Sequence, residues 1–295
     1  MPENSGTQKA REVQGTRRRA WKQKLRFAGV VTVMLFVLLF PEKKEFEMDV
    51  LDVGQGDGIY LCTGDGVSFF IDGGSTDVKN VGQYRILPFL KAKGVRKISY
   101  WFVSHTDTDH ISGLKEALSS GYRIEHLVIA KAVAKEEKTL ELVQLAEKAG
   151  TKVLCMEAGE ALCTKTAKLQ CLYPAADARA EDVNDLCLVL RFEDGGMSSM
   201  FAGDISTEVE EALVAQGLCA QVDFFKADHH GSKYSNSAAF LQALSPRLTV
   251  ASAGEDNRYG HPGAEAVERI KDSGSQFLCT MDCGQVKILR SERGS

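Results

Sequence analysis

The sequence lacks long hydrophobic runs. The single candidate for a membrane span is "FAGVVTVMLFVLLF", residues 27–40, which holds fourteen residues without a charge. At about 1.5 Å per residue, a helix of that length spans roughly 21 Å, less than a hydrocarbon core of about 30 Å. A many-spanning membrane channel is therefore excluded, and at most one marginal span is predicted.

Internal repeats with a period of about 20–50 residues and long low-complexity linkers are also absent, which excludes a repeat architecture. Among the eight cysteines, "CTMDC" has no companion pair, so a zinc knuckle is not predicted. Several cysteines lie in apolar runs such as "IYLCT" and "LCLVLRF", which favours free buried thiols. Disulfide pairing outside the cytoplasm stays an alternative.

Charge is divided unevenly along the chain. Residues 1–26 carry eight Lys or Arg and two Glu, whereas the remaining residues carry 28 basic and 38 acidic side chains. An acidic body repels a polyanion unless a local basic strip or a bound metal ion offsets its field. The composition therefore gives no sign of a broad surface for duplex DNA.

The basic amino end has the layout of a targeting segment. Residues 1–26 are expected to form a basic cytoplasmic tail, and residues 27–40 a signal-anchor helix, because no small-x-small cleavage site follows the apolar run. Everything after Pro41 would then lie outside the cytoplasm, anchored to the membrane. A cleaved signal with a secreted product and a buried core helix stay as alternatives.

From Phe46 onward, short apolar strands alternate with amphipathic helices. The segments "GIYLCT" and "VSFFIDGG" flank the turn "GDG", and "LCLVLRFED" and "MSSMFAGD" flank "DGG", so two hairpins are predicted. Helical spacing marks "TLELVQLAEKAG", "STEVEEALVAQG" and "AEAVERIKDSG". The pattern predicts an α/β domain over residues 46–291 with two layers of mixed sheet and helices outside them.

Histidine is scarce and clustered. Five of the six histidines fall in three groups, each just after an apolar strand-like run: His105 and His110, His229 and His230, and His261. Strand ends that meet at one edge of a sheet commonly build functional sites. The histidines therefore indicate one site assembled from distant parts of the chain.

The first group, "SHTDTDH", packs four potential metal ligands into six positions. His105, Asp107 and Asp109 alternate, so a turning backbone can point them to one side, and His110 closes the cluster. Asp204 in "MFAGDIS" follows another strand, and its two carboxylate oxygens could be shared between two metal ions. These residues predict a metal site.

Six motifs, "LDVGQGD", "IDGG", "SHTDTDH", "GDIS", "KADHHGSKYSNS" and "NRYGHPG", occur in this order over about 220 residues. Together they resemble the metallo-β-lactamase-fold domain of ComEC-type competence proteins. The resemblance implies an αββα four-layer sandwich, a metal-dependent hydrolase with two divalent metal ions, and a role in processing DNA during uptake. It covers nearly everything from Phe46 onward.

The resemblance also implies roles for individual residues. One metal ion would lie on His105, Asp107 and Asp204, and the other on Asp109, His110, Asp204 and one of the pair His229/His230, with His230 favoured because adjacent strand residues point opposite ways. The further roles are Asp109 as a proton shuttle, His261 as general acid or phosphate ligand, Ser232, Lys233 and Arg258 as phosphate contacts, and Asp52, Asp57 and Asp72 as orienting residues. Solvated loop charges remain the alternative for Lys233 and Arg258.

The ligand set departs from the wider superfamily in two places. Asp107 stands where histidine is usual, and "VNDLCLVL" offers no further histidine. Both differences remove nitrogen ligands, so the site is richer in oxygen, which favours manganese or magnesium while leaving zinc open.

The leading hypothesis is a membrane-anchored phosphodiesterase, or nuclease, acting on single-stranded DNA, with a separate channel protein as partner. The alternatives are a hydrolase of a small ester, lactam or nucleotide, and a module that binds DNA or a partner without catalysis.

Overall fold

The computed structural model describes residues 21–32, 34 and 45–289. The chain divides into an amino-terminal unit and an α/β body. In the amino-terminal unit residues 21–32 are helical. Half of the expected signal anchor, residues 33 and 35–40, lies outside the described ranges. Among the described residues no helix combines the length and apolarity needed to cross a membrane.

The body contains two mixed seven-stranded sheets. In the first sheet the order is β14-β1-β2-β3-β4-β5-β6, and in the second it is β13-β12-β11-β10-β9-β8-β7. The strands are β1 Glu47–Val50, β2 Gly58–Cys62, β3 Ser68–Asp72, β4 Lys97–Phe102, β5 Arg123–Ala130, β6 Lys152–Met156, β7 Ala161–Cys163, β8 Ala167–Tyr173, β9 Val189–Asp194, β10 Met197–Phe201, β11 Phe224–Lys226, β12 Leu248–Ala251, β13 Gln276–Cys279 and β14 Val286–Leu289.

Helices connect the parallel strands. They are α1 Leu87–Ala92, which continues a π-helical turn at Gly82–Ile86, α2 Thr108–Ser119, α3 Glu137–Lys148, α4 Thr207–Ala215, α5 Ala238–Leu244, α6 Ala264–Asp272 and the short α7 Thr280–Cys283. Single 3-10 turns lie at Lys131–Val133, Val183–Leu186 and Asp228–Gly231.

Three apolar clusters define four layers. The cluster between the sheets is drawn from strands and their connections and includes Phe69, Phe192 and Phe224. A second cluster packs the first sheet against α1, α2 and α3, and a third packs the second sheet against α4, α5 and α6. The predicted αββα sandwich and both predicted hairpins, β2–β3 and β9–β10, are confirmed.

Each sheet has a parallel half. The pairs β3–β4–β5–β6 in one sheet and β10–β11–β12–β13 in the other are parallel. Their carboxyl ends meet at one rim of the sandwich, which is where open α/β sheets place their ligands. The motif residues lie at these strand ends.

Among residues 45–289, no disulfide bond joins any of the eight cysteines. Cys62, Cys171, Cys187 and Cys279 are buried, as the apolar runs predict, while Cys155, Cys163 and Cys283 are exposed.

Candidate metal centre

The first cluster straddles the start of α2. Asp107 occupies the N-cap position with an extended backbone, and Asp109 and His110 lie in the first helical turn. His105 precedes them on the segment that leaves β4. A change from extended to helical backbone within six residues lets side chains at different spacings face the same rim.

Asp204 lies just beyond β10 on a tight turn. Gly203 has φ +64°, and a Cβ there would lie 2.9 Å from Cβ of Ser104 and 3.0 Å from Sγ of Cys187. A side chain would be strained by this backbone conformation and would also push against both neighbours. Glycine at 203 therefore lets the Asp204 turn approach the segment that carries His105.

The pair His229 and His230 departs from the expected strand geometry. Both residues have left-handed backbone angles, with φ 50° and 53°, inside the 3-10 turn Asp228–Gly231. The premise that they point opposite ways along a strand is therefore wrong. Nε2 of His229 lies 3.7 Å and Nε2 of His230 3.6 Å from the same Asp204 oxygen, Oδ2. His230 is buried, whereas His229 is partly exposed.

Four of the predicted ligands converge. Ligand atoms of Asp109, His110, Asp204 and His230 all lie within 4.8 Å of one another. Nε2 of His110 is 3.3 Å from Oδ1 of Asp204, and Nε2 of His230 is 3.4 Å from Oδ2 of Asp109. We call these four residues the central cluster.

His105 and Asp107 flank the central cluster. The ring of His105 lies 4.0 Å from the ring of His110, centroid to centroid, and its Nε2 is 3.9 Å from Oδ2 of Asp107. Asp107 is half exposed and forms an ion pair with Lys138 of α3 at 2.9 Å. The structure thus places a second pair of candidate ligands beside the first four.

The donor set passes a simple test of fit to a divalent metal ion. Buried polar atoms in proteins are nearly always hydrogen-bonded. Here three buried imidazole nitrogens, Nε2 of His105, His110 and His230, and Oδ1 of Asp204 have no hydrogen-bond partner. Three of these atoms belong to the central cluster, and the fourth belongs to His105 beside it. Buried ligand atoms left unsatisfied in this way are the atoms that a metal ion would satisfy.

Carboxylates behind the imidazoles hold the ring orientations. Asp72 Oδ2 lies 3.0 Å from Nδ1 of His110, and the same carboxylate accepts hydrogen bonds from the Ser104 backbone and hydroxyl groups. Nδ1 of His230 contacts the Ser252 carbonyl at 3.0 Å. With Nδ1 engaged, the Nε2 atoms of both rings are directed at the central cluster.

Asp57 and Lys226 form a buried ion pair below His230. Lys226 Nζ lies 2.8 Å from Asp57 Oδ1, which is also 3.3 Å from Nδ1 of His230. Asp57 comes from the first sheet's motif loop and Lys226 from β11, so the pair joins the two halves of the sandwich. The sequence reading missed Lys226, although a lone lysine inside the apolar run "VDFFKA" was an available signal.

Asp52 does not join this arrangement. Its carboxylate pairs with Arg85 at 3.0 Å and accepts the Gly54 backbone N–H. Of the three aspartates predicted to orient ligands, the structure places Asp57 and Asp72 against imidazoles and Asp52 away from them.

The buried side chains of the central cluster shift one another's pKa values. Burial disfavours charge on His110 and His230, but Asp204 together with Asp72 or Asp57 outweighs it, raising the pKa of His110 well above its usual value and that of His230 to about 9. Burial also opposes ionisation of Asp204, yet His110 and His230 hold its pKa well below the usual range. Burial and the His110 charge lower the pKa of His105 to about 4.

Asp228, behind the histidine turn, faces the buried Glu210 of α4. Glu210 accepts hydrogen bonds from the backbone N–H groups of Asn236 and Ser237 at 2.5 and 2.6 Å. Burial, and then the Glu210 carboxyl, raise the pKa of Asp228 well above its usual value. This paired arrangement supports the turn that presents His229 and His230.

His261 lies at the outer side of the histidine pair. Its ring centroid is 5.4 Å from that of His229, and Gln55 Nε2 is 3.4 Å from its Nδ1. Burial and the neighbouring histidines lower the pKa of His261 to about 4, so the ring is neutral at pH 7. A neutral imidazole still carries one ring N–H and can donate one hydrogen bond.

The predicted phosphate contacts lie on the two loops that carry the histidine pair and His261. Ser232 is buried, and its hydroxyl accepts the Tyr234 backbone N–H at 3.3 Å. Lys233 and Arg258 are exposed. Lys233 extends over the Tyr234 ring at 4.9 Å.

Comparison with known proteins gives matches to curated proteins by sequence and to solved structures by fold. No protein-family model matches the chain. It is 30% identical over 276 residues to ComE operon protein 3 of Bacillus subtilis (strain 168), covering 89% of this chain and 35% of that protein. It is 30% identical over 269 residues to competence protein ComA of Neisseria gonorrhoeae, covering 87% and 34%. The chain therefore spans about a third of the length of the curated relatives it matches.

Solved structures share the fold. CmlA, a diiron β-hydroxylase from Streptomyces venezuelae, superposes with a TM-score of 0.56 at 16% identity over 85% of this chain and 55% of that one. The metallo-β-lactamase fold protein YhfI from Bacillus subtilis superposes with a TM-score of 0.54 at 15% identity over 83% and 99%. Identities this low show the architecture alone.

Proposed function

We propose, on the premise that this chain is a metallo-β-lactamase-fold relative of the ComEC-type competence proteins, that it is a metal-dependent phosphodiesterase acting on single-stranded DNA. The observation that carries the proposal is the convergence of Asp109, His110, Asp204 and His230, whose buried ligand atoms face one another. Their mixture of carboxylates and imidazoles suits divalent metal ions used in hydrolysis.

The residues proposed to hold metal fall into two sets that share Asp204. His105 and Asp107 would hold one ion, and Asp109, His110 and His230 the other. Two divalent ions at such a site activate water and neutralise the charge of a phosphodiester. The oxygen-rich set favours manganese, with zinc as the second candidate.

The remaining residues position the substrate. His261 is neutral at pH 7 and keeps one ring N–H, so we assign it as a hydrogen-bond donor to a phosphate oxygen rather than as the general acid. Lys233 and Arg258, exposed on neighbouring loops, supply positive charge next to the histidines on a body that is net acidic. Asp57 and Asp72 keep the imidazoles of His230 and His110 aimed at the metal ions.

Phosphodiester chemistry is favoured over lactam or ester hydrolysis by the relationship to competence proteins and by Asp107 in place of a nitrogen ligand. A module that only binds DNA would not need a buried set of unsatisfied ligand atoms. A single strand fits better than a duplex, since the net-acidic body would repel a broad polyanion.

We expect the full chain to cleave labelled single-stranded DNA with manganese or zinc and not with chelator. The Asp109→Ala/His110→Ala variant removes two ligands of the central cluster, and its rate should fall by about 1,000-fold or more. Gel analysis of a labelled single strand and of a labelled duplex measures DNA cleavage by the wild type and the variant. A parallel absorbance assay with a chromogenic β-lactam measures lactam cleavage. Lactam cleavage without DNA cleavage would favour a small-molecule hydrolase instead. Inactivity of the metal-loaded, folded protein on all three substrates would favour a module that binds DNA or a partner without catalysis.

We further propose that residues 27–40 anchor the body, proposed to span residues 46–291, on the extracytoplasmic side of a membrane, where a separate channel protein would receive the processed strand. The basic flank and the apolar run support this placement. The full chain should fractionate with membranes, and a chain without residues 1–43 should not. Equal distribution of the two forms would refute the anchor.

A further inference from the structure

Exposed aromatic side chains are few in the described body, residues 45–289. They are Tyr84, Tyr234 and Tyr259, with 63%, 69% and 54% of their surface accessible. Two of the three, Tyr234 and Tyr259, lie on the loops that carry the histidine pair and His261. Exposed aromatic rings beside a site that handles a single nucleic-acid strand can serve as stacking surfaces for its bases.

Tyr259 continues a row of rings that leads from the surface to the central cluster. Its ring stacks on His261 with centroids 5.7 Å apart and planes 22° apart. His261 in turn lies 5.4 Å from His229, whose Nε2 is 3.7 Å from Asp204. A planar group that stacked on Tyr259 would therefore lie one ring beyond His261.

The loop that holds Tyr259 is fastened at several points. Asn257 Oδ1 accepts the backbone N–H of Tyr259 at 3.2 Å and that of His261 at 2.9 Å. Asn257 Nδ2 donates to the carbonyls of Gly254 and His261. These hydrogen bonds fix the backbone that carries the Tyr259 ring. Little conformational entropy is therefore lost when a ligand stacks on the ring.

Positive charge accompanies both tyrosines. Arg258 directly precedes Tyr259, and the Lys233 ammonium lies over the Tyr234 ring at 4.9 Å. The backbone N–H of Gly263 donates to the carbonyl of Gly231 at 2.9 Å, which holds the two loops side by side. Aromatic platforms beside cationic side chains are the combination that binds single-stranded nucleic acid without sequence preference.

We propose that Tyr259 is a stacking platform for one nucleobase of a single strand whose phosphate lies at the metal centre. His261 covers one face of the ring, which leaves the opposite face for a base. This inference rests on the proposed function. It adds that binding of the strand depends on the presence of a base that can stack on Tyr259. Since every base has a π-face, the preference is for a base over none, with little sequence specificity.

The test compares a fluorescent oligothymidylate with an abasic oligodeoxynucleotide of equal length. Binding to the full chain is measured by anisotropy in chelator, where cleavage does not occur. The wild type should bind the oligothymidylate about 5- to 100-fold more tightly than the abasic strand. Tyr259→Ala should remove this preference, and Tyr259→Phe, which keeps the ring, should retain it.

Tyr84→Ala is the matched control, because it removes an equally exposed ring from the π-helical turn outside these loops. Its preference should equal that of the wild type. Equal affinity of the wild type for both strands, no binding of either, or a preference that persists in Tyr259→Ala overturns the inference. Manganese-dependent cleavage of the oligothymidylate is measured separately. The proposed nuclease function and the stacking role of Tyr259 are therefore tested independently.

Discussion

Replacing Asp204 with asparagine is expected to lower metal-dependent DNA cleavage by about 1,000-fold or more. Asparagine keeps the shape of the side chain but removes its charge and one acceptor. Asp204 contacts three histidines, with Oδ1 3.3 Å from His110 and Oδ2 within 3.7 Å of His229 and His230. It is also the carboxylate proposed to serve both metal ions, so its loss should affect both.

The same substitution should abolish stabilisation by metal. A ligand that binds only the folded state at 100 times its Kd adds about 2.7 kcal/mol to the free energy of unfolding. Thermal unfolding with and without manganese should therefore show an increase in Tm for the wild type and none for Asp204→Asn. This readout does not depend on having the correct substrate.

Asp52→Asn is the matched control. Asp52 also stands in a sequence motif next to glycines, yet its carboxylate pairs with Arg85 away from the central cluster. We expect an unchanged cleavage rate and a change in stability below about 0.5 kcal/mol. More than a tenth of wild-type activity in Asp204→Asn, with the metal-induced rise in Tm intact, would contradict the assignment of Asp204.

Local sequence features predicted most of the fold. The hairpins β2–β3 and β9–β10 follow from apolar runs joined by glycine turns, and the helices α3, α4 and α6 from their spacing. Several short elements were missed, among them α1 and β7. The helix α1 Leu87–Ala92 has a six-residue span that gives little periodicity, and β7 Ala161–Cys163 is a three-residue edge strand with mostly exposed side chains.

The candidate site was predictable where its residues are close in sequence. "HTDTDH" is dense enough in ligand-type residues to be recognised alone. Histidine adopts a left-handed backbone more often than most residues with a side chain, but the sequence "DHHG" does not by itself specify that both His229 and His230 do so. Contacts such as Gln55 with His261 and Asp57 with Lys226 join residues more than 160 positions apart. They depend on how the two sheets pack, which no local pattern specifies.

Lys226→Met is expected to destabilise the folded chain by about 3–5 kcal/mol. Both members of the pair with Asp57 are almost fully buried, and Lys226 and then His230 hold the pKa of Asp57 below its usual value despite its burial. Removing the ammonium leaves the carboxylate in the interior with the imidazoles of His230 and His110 as its remaining positive neighbours. Urea unfolding of metal-free protein measures the loss, and the affinity for manganese should fall because Asp57 no longer has a fixed position beside His230.

The double variant Asp57→Asn/Lys226→Met separates the buried charge from the lost packing. Because it removes both charges, we expect it to be more stable than Lys226→Met alone, with a coupling energy of at least about 1 kcal/mol. Lys97→Met is the surface control: Lys97 pairs with Glu125 at 2.7 Å but is half exposed, so its loss should cost less than about 1 kcal/mol. Equal costs for Lys226→Met and Lys97→Met would mean that the Asp57–Lys226 pair is hydrated, and that it does not join the two sheets beneath the metal centre.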